Sequence, residues 1–142
     1  MAKQNVLFLC TGNSCRSILG EALLRARAGE RFDVYSAGTM PKGVHPLTIQ
    51  VLQEIGLDTS SLRSKNVKEV LGRLTAHYVI VVCHDAQESC PRIFPGLGER
   101  LFWPFDDPPA QEGTDEQRLA KFREVRDQID RKIQDWLAHL GN

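Results

Sequence analysis

The chain has 142 residues, of which 42% are hydrophobic and 25% are charged. This length suits one compact domain, expected over residues 1–142, and these fractions exclude a globally disordered chain. Eighteen basic residues balance eighteen acidic ones, and a net charge of +0 gives no bulk attraction to nucleic acid or to an anionic membrane. Any anion that this protein binds is therefore expected to be held by a local site.

No apolar stretch approaches the roughly 18–20 residues that a membrane span requires, and the chain start lacks the pattern of a signal peptide. Both observations favour the cytosol, where thiols stay reduced. The four cysteines are therefore expected to take part in chemistry rather than to form structural disulfides. They are Cys10, Cys15, Cys83 and Cys90.

Predicted strands alternate with predicted helices along the chain. The first strand is the apolar run Asn5–Cys10, and a polar loop leads from it into a helix that begins near Arg16 and stops at Gly29. In chain order there follow a strand over Phe32–Ser36 that Ala37 and Gly38 break, a helix from Pro46 to Gly56, a short helix over Val67–Leu74, strands over Tyr78–Cys83 and Leu101–Trp103, and a long helix from Thr114. This alternation predicts an α/β fold in which helices cover both faces of a four-stranded parallel sheet.

Two helices carry apolar stripes that define part of the predicted core. In the helix from Pro46, the residues expected to be buried are Ile49, Val51, Leu52 and Ile55. In the last helix they are Leu119, Phe122, Val125, Ile129, Ile133, Trp136 and Leu140, and its charged residues are expected to form a solvated face. Parallel sheets bind ligands at the carboxyl ends of their strands, where Cys10 and Cys83 are both predicted to lie.

The segment after the first strand has the composition of an anion-binding loop. Its predicted oxyanion-binding residues are Thr11, Gly12, Asn13, Ser14, Cys15, Arg16 and Ser17. Small residues that tolerate left-handed backbone can turn their N–H groups inward, backed by the positive end of the following helix, and Arg16 offers a planar guanidinium. The same field stabilises a thiolate at Cys10, which predicts a sulfur nucleophile beside a bound oxyanion. A buried cysteine beside a solvated arginine is the alternative.

Six segments carry a family resemblance, and they span nearly the whole chain. They are Cys10–Ser17, Val34–Gly38, Gly43–Pro46, Cys83–Pro91, Trp103–Pro108 and Phe122–Asp127. Together they resemble the low-molecular-weight protein tyrosine phosphatases, whose fold is Rossmann-like, and among them most closely the thioredoxin-coupled arsenate reductases. The resemblance implies a monomer that reduces arsenate, with phosphate or sulfate as competing oxyanions, thioredoxin or a similar dithiol as reductant, and no metal or organic cofactor.

The resemblance also implies a disulfide relay through Cys83 and Cys90. Cys83 would attack the sulfur of Cys10, and Cys90 would then attack Cys83 and leave a Cys83–Cys90 disulfide. From the residues alone, Cys83 could equally be a buried strand residue and Cys90 a surface thiol, and a zinc site with His84 is a further alternative. Cys15 is expected to be a packed loop residue.

A proton donor is implied at Asp107, the aspartate immediately before Pro108. Without the resemblance, a solvated Asp-Pro turn would be the favoured explanation of this segment, and Asp106 is the less favoured carboxylate. The phosphatases usually have aromatic residues after the Asp-Pro, whereas here Pro109 and Ala110 follow. This difference disfavours a tyrosine phosphatase, which remains the nearer alternative function, and a non-catalytic oxyanion or redox sensor is the more distant one.

Support for the loop is implied at Asn13, Glu21 and Ser36, which in the best-matching reductases surround a potassium ion together with an acidic residue. Lys65 stands in the acidic position here, and its ammonium would repel a cation and could take its place. We therefore expect no bound potassium. The remaining histidines, His45, His77 and His139, show no metal-ligand spacing and are expected to be structural or surface residues.

Overall fold

The computed structural model describes residues 3–71, 73, 75–82 and 98–140. Within these residues the strands are β1 (Gln4–Cys10), β2 (Phe32–Gly38), β3 (Tyr78–Val81) and β4 (Glu99–Phe102). The α-helices are α1 (Arg16–Ala28), α2 (Pro46–Gln53), α3 (Val67–Leu71) and α4 (Asp115–Leu140), and a single 3-10 turn covers Pro108–Ala110. Strands and helices thus alternate as the sequence predicts.

The four strands form one sheet in the order β2-β1-β3-β4, and all neighbouring pairs are parallel. This arrangement confirms the predicted α/β class with a parallel sheet. Every residue of the run Val6–Cys10 is buried. Because successive side chains of a strand point to opposite faces, burial of the whole run means that both faces of β1 are covered.

Helix α1 packs closely on β1. A Cβ atom at Gly20 would lie 2.5 Å from the ring of Phe8, so only glycine permits this distance. The helix begins at Arg16, so the last two residues of the predicted anion-binding segment, Arg16 and Ser17, form its first turn. This places the positive end of α1 at the carboxyl end of β1.

The strand β2 extends further than the sequence predicts. It continues through Ala37 to Gly38, which is paired with Cys10 in the sheet register. A Cβ atom at Gly38 would lie 2.5 Å from the carbonyl oxygen of Thr11. Gly38 is thus the last residue of β2 and does not interrupt it before its end, and its missing side chain lets the loop after β1 cross there.

Two expectations about burial are wrong. Ile55 is 45% exposed because α2 ends at Gln53 and a turn follows, in which Leu57 N donates to Leu52 O and Gly56 adopts a φ of 83°. On α4, Arg126 is only 9% exposed although its charged residues were expected to be solvated. Its guanidinium donates to Val51 O at 2.9 Å and so binds the end of α2.

The apolar stripe of α4 otherwise confirms the predicted pattern. Its fully enclosed residues are Phe122, Val125, Ile129 and Ile133, with Trp136 at 8% exposure. Leu119 and Leu140 are partly buried at the two ends of the stripe. No helix in the described part of the chain is both long and apolar enough to cross a membrane.

Candidate active site

The loop Cys10–Arg16 is held from its outer side by hydrogen bonds to its carbonyl oxygens. Thr11 O accepts from Met40 N at 2.9 Å, and Gly12 O accepts from Lys42 N at 2.9 Å. Ser14 O accepts from two donors, His45 N at 3.0 Å and Thr48 Oγ1 at 2.9 Å. Because the C=O and N–H of a trans peptide point in opposite directions, carbonyls turned outward leave the following amides turned inward.

The sulfur of Cys10 accepts a hydrogen bond from an amide of this loop. Asn13 N donates to Cys10 Sγ at 3.2 Å, and Ser17 Oγ lies 2.9 Å from the same sulfur. The residue is only 2% exposed. When Cys10 is a thiolate it can only accept, so Ser17 is then the donor. The site therefore offers hydrogen bonds to a sulfur anion.

Asn13 is the brace of the loop. It is fully buried, and its φ of 45° lies in the left-handed region that asparagine tolerates. Its side-chain amide donates to Ser17 Oγ at 2.7 Å and to Ser36 Oγ at 3.0 Å, while its Oδ1 accepts from Lys65 N at 2.7 Å. These bonds connect the loop to β2 and to the segment before α3.

A buried carboxylate lies behind Asn13. Glu21 accepts a hydrogen bond of 2.5 Å from Ser36 Oγ, and its other oxygen contacts the Arg25 guanidinium at 2.6 Å. The Lys65 ammonium lies 3.9 Å from Glu21 Oε1, and burial lowers the pKa of this lysine. The structure thus brings together Asn13, Glu21, Ser36 and Lys65, the four residues that the sequence grouped as loop support.

Arg16 faces the segment that carries the candidate acid. Its side chain is almost completely buried, and it donates to Phe105 O at 3.1 Å. Its second terminal nitrogen lies 3.7 Å from Asp107 Oδ1, and the Asp107 side chain is 42% exposed. Asp106 instead contacts Lys121 on α4 at 2.8 Å. The two neighbouring carboxylates therefore differ in their surroundings, and Asp107 is the one beside Arg16.

Cys15 belongs to the same loop as Cys10 but is not suited to act as a nucleophile. It is 1% exposed, and this burial raises the pKa of its thiol to about 12. At neutral pH Cys15 is therefore protonated and a poor nucleophile. The packing agrees with the expectation that it is a packed loop residue.

The sequence assigned no role in the site to three residues that the structure places around it. His45 precedes Pro46 at the start of α2, and its Nδ1 accepts from Leu47 N at 3.1 Å as a helix cap. Its position before a helix-opening proline is a signal for such a cap. Thr48 and Lys121 carry no comparable signal, because their partners are 34 and 15 residues away in the chain.

Two predicted relay residues, Cys83 and Cys90, lie outside the described residues, as does His84 of the alternative zinc site. The nearest described residue is Val82, whose N donates to Leu9 O at 2.9 Å. In the part of the chain that the structure describes, no group of three or more His, Cys, Asp or Glu side chains could hold a metal ion.

The sequence model of the low molecular weight phosphotyrosine protein phosphatase family matches residues 5–142. The chain belongs to this family. Within it, the chain is 43% identical over 133 residues to an arsenate reductase of Halalkalibacterium halodurans, and the alignment covers 94% of each chain. It is 36% identical over 137 residues to an arsenate reductase of Bacillus subtilis, with 96% of each chain covered.

Solved structures of the family agree with the fold. An arsenate reductase in its reduced state superposes with a TM-score of 0.76 at 26% identity, covering 96% of this chain and 98% of that one. A thioredoxin-dependent arsenate reductase of Corynebacterium glutamicum has a TM-score of 0.70 at 30% identity. That alignment covers 98% of this chain and 62% of the other. The resemblance predicted from the six segments is therefore confirmed.

Proposed function

We propose that this protein reduces arsenate to arsenite with Cys10 as the nucleophile. The observation that carries the proposal is the placement of the Cys10 sulfur, which lies 3.2 Å from an inward-turned amide of the loop. The guanidinium of Arg16 closes the same site and lies 3.7 Å from the Asp107 carboxylate. Nucleophile, oxyanion donors and acid thus meet at one strand end, and the relatives of this chain named above are arsenate reductases.

In the first step, arsenate would bind to the loop amides and to Arg16, whose planar fork suits a tetrahedral oxyanion. The Cys10 thiolate attacks arsenic, so that a sulfur–arsenic bond forms and an arsenic–oxygen bond breaks. Asp107 protonates the departing oxygen, which leaves as water. Arsenic stays in the +5 state in this step, and no electron has yet been transferred.

In the second step, the Cys83 thiolate attacks the Cys10 sulfur. A sulfur–sulfur bond forms, the sulfur–arsenic bond breaks, and its electron pair stays on arsenic, which leaves as arsenite in the +3 state. Cys90 then attacks Cys83, which frees Cys10 as a thiolate and leaves a Cys83–Cys90 disulfide. A thioredoxin-like dithiol reduces that disulfide, as the name of the Corynebacterium glutamicum relative suggests.

The position of β3 supports this relay. Leu9 and Val82 are the residues before Cys10 and Cys83, and they are joined by a backbone hydrogen bond of 2.9 Å. The described ends of the two neighbouring strands therefore lie side by side at the carboxyl edge of the sheet, where the proposed nucleophile is found. The high pKa of Cys15, about 12, argues against Cys15 as the resolving thiol.

A phosphatase is the second candidate, because the family model that matches the chain is named for phosphotyrosine phosphatases. The first step of the proposed reduction and phosphoryl transfer would use the same loop, arginine and acid. Arsenate and phosphate have the same shape and charge, so a weak phosphatase side activity belongs to the proposal. The relay cysteines separate the two functions, because only the reductase needs them.

The test is therefore arsenate-dependent consumption of NADPH with thioredoxin and thioredoxin reductase, in wild type, Cys83→Ser and Cys90→Ser. We expect both variants to lose multiple turnover and to hydrolyse an aryl phosphate as fast as wild type. After one addition of arsenate, peptide mass spectrometry should find a Cys10–Cys83 disulfide in Cys90→Ser and none at Cys10 in Cys83→Ser. Repeated turnover by Cys90→Ser, or a trapped Cys10–Cys15 bond, would contradict the relay.

A further inference from the structure

The segment Phe105–Asp107 crosses from Arg16 to α4 and is held at both sides. On one side Phe105 O accepts from Arg16 at 3.1 Å. On the other side Asp106 Oδ2 accepts from Lys121 Nζ at 2.8 Å. Asp107 itself has an extended backbone, with φ −91° and ψ 101°. The two neighbouring carboxylates have different partners, since Asp106 contacts Lys121 on α4 and Asp107 lies beside Arg16.

Lys121 is anchored well enough to hold its partner in place. It lies on α4 next to Phe122, which is fully buried against the core. Its ammonium also contacts Glu124 Oε2, one helical turn along, at 2.7 Å. The Lys121 side chain is 21% exposed, against 56% for that of Asp106. The helix thus keeps Lys121 in place, and Lys121 in turn holds Asp106.

We propose that Lys121 acts through Asp106 as a positioning residue that keeps Asp107 turned toward Arg16. The inference rests on the proposed role of Asp107 as the acid. If the ion pair between Lys121 and Asp106 were removed, the segment would be held less firmly, and Asp107 would shift from its position beside Arg16. A proton donor displaced by about 1 Å loses much of its effect, because transfer needs hydrogen-bond distance to the departing oxygen.

The size of the effect follows from the exposure of the ion pair. The pair can bias the segment toward its inward-facing conformation only by its own interaction free energy. An exposed pair of this kind is weak, so its loss should lower the rate of the acid-assisted step by about threefold to fivefold. Salt screens exposed charges, so added salt should slow wild type toward the rate of a variant without the pair.

The experiment is the rate of arsenite release in a single turnover of pre-reduced enzyme at saturating arsenate. We expect Lys121→Met to be about threefold to fivefold slower than wild type, with an unchanged arsenate concentration at half saturation. Asp107→Asn should be slower by about 10²-fold or more. In the double variant, Lys121→Met should add nothing to the effect of Asp107→Asn, because Lys121 acts only through the acid.

Two further variants separate this role from a merely structural one. Glu124→Gln removes the other partner of Lys121 and should react as fast as wild type, whereas Lys121→Arg should restore most of the rate. Urea unfolding of Lys121→Met checks that the variant is folded. If Lys121→Met matches wild type, or slows Asp107→Asn by the same factor, the positioning role is wrong while the acid stands. If Asp107→Asn itself reacts normally, or wild type releases no arsenite, the proposed function fails first.

Discussion

The two halves of the candidate site are held in place by different forces. The anion-binding loop Cys10–Arg16 is fixed from outside by backbone and side-chain donors to its carbonyls, and its brace Asn13 has no exposed surface. The contacts of the acid segment, which carries the candidate acid Asp107, include a hydrogen bond from Arg16 to Phe105 O and an exposed ion pair between Asp106 and Lys121. Asp107 stays 42% exposed.

In the proposed reaction, this difference separates oxyanion binding from proton delivery. Buried hydrogen bonds keep their geometry irrespective of salt, and breaking one leaves a buried polar group without a partner. An exposed ion pair contributes less free energy than a buried hydrogen bond, and added salt weakens it further. The loop should therefore hold an oxyanion in one fixed arrangement, while the acid segment is the part whose position responds to ionic strength.

The strongest test of the loop removes its nucleophile. Cys10→Ser should abolish arsenate reduction and any aryl phosphate hydrolysis, because a serine hydroxyl is not ionised at neutral pH whereas a thiolate is the attacking species. Sulfate binding measured by calorimetry should survive in this variant, since the amides and Arg16 remain. Turnover of either substrate by Cys10→Ser would show that Cys10 is not the nucleophile.

Arg16 tests whether the loop side needs geometry as well as charge. Arg16→Lys keeps a positive charge but loses the planar fork and the bond to Phe105 O. We expect catalytic efficiency with arsenate to fall by about 10²-fold, comparable to the loss of an oxyanion donor. Steady-state kinetics at two salt concentrations measure this, and a loss of only a few-fold would show that charge alone suffices.

Asn13 tests the rigidity of the loop directly. Asn13→Ala removes hydrogen bonds to Ser17, Ser36 and Lys65 and places alanine, which tolerates left-handed backbone less well than asparagine, at a φ of 45°. We expect the free energy of unfolding to fall by about 3 kcal/mol, as measured by urea denaturation. Asn13→Gly is the matched control and should recover about 1 kcal/mol of that loss, because glycine tolerates the positive φ. Equal stability of the two variants would assign the whole effect to the lost hydrogen bonds.

His45 gives the smallest expected effect, a dependence of stability on pH. Burial lowers the pKa of His45, with Arg118 acting in the same direction and Asp107 against it. The unfolded chain therefore takes up a proton near pH 6.5 more readily than the folded one, and stability falls as pH drops through this range. The loss should stay under about 1 kcal/mol, because the ring is partly exposed. His45→Asn keeps a capping acceptor and should lack this slope in urea denaturation at pH 5 and pH 7.5.

Much of the site could be predicted because its residues are close in the sequence. The strand, the loop and the start of α1 are contiguous from Asn5 to Ser17, so the local pattern contains both the nucleophile and the oxyanion donors. Burial was predicted less well where a helix ended early or a charge found a distant partner. Ile55 is exposed because it lies beyond the end of α2. Arg126 is buried because its guanidinium donates a hydrogen bond to Val51 O.

The sequence by itself therefore determined the parallel α/β fold, the anion-binding loop and the family to which the chain belongs. Hydrophobic periodicity and a contiguous motif act over a few residues, and such signals can be read from the chain alone. The tertiary structure decided how the loop and the acid are held. Lys65 reaches Asn13 across 52 residues, and Arg16 reaches Phe105 across 89. Contacts of that separation depend on how the strands and helices pack, which no local pattern specifies.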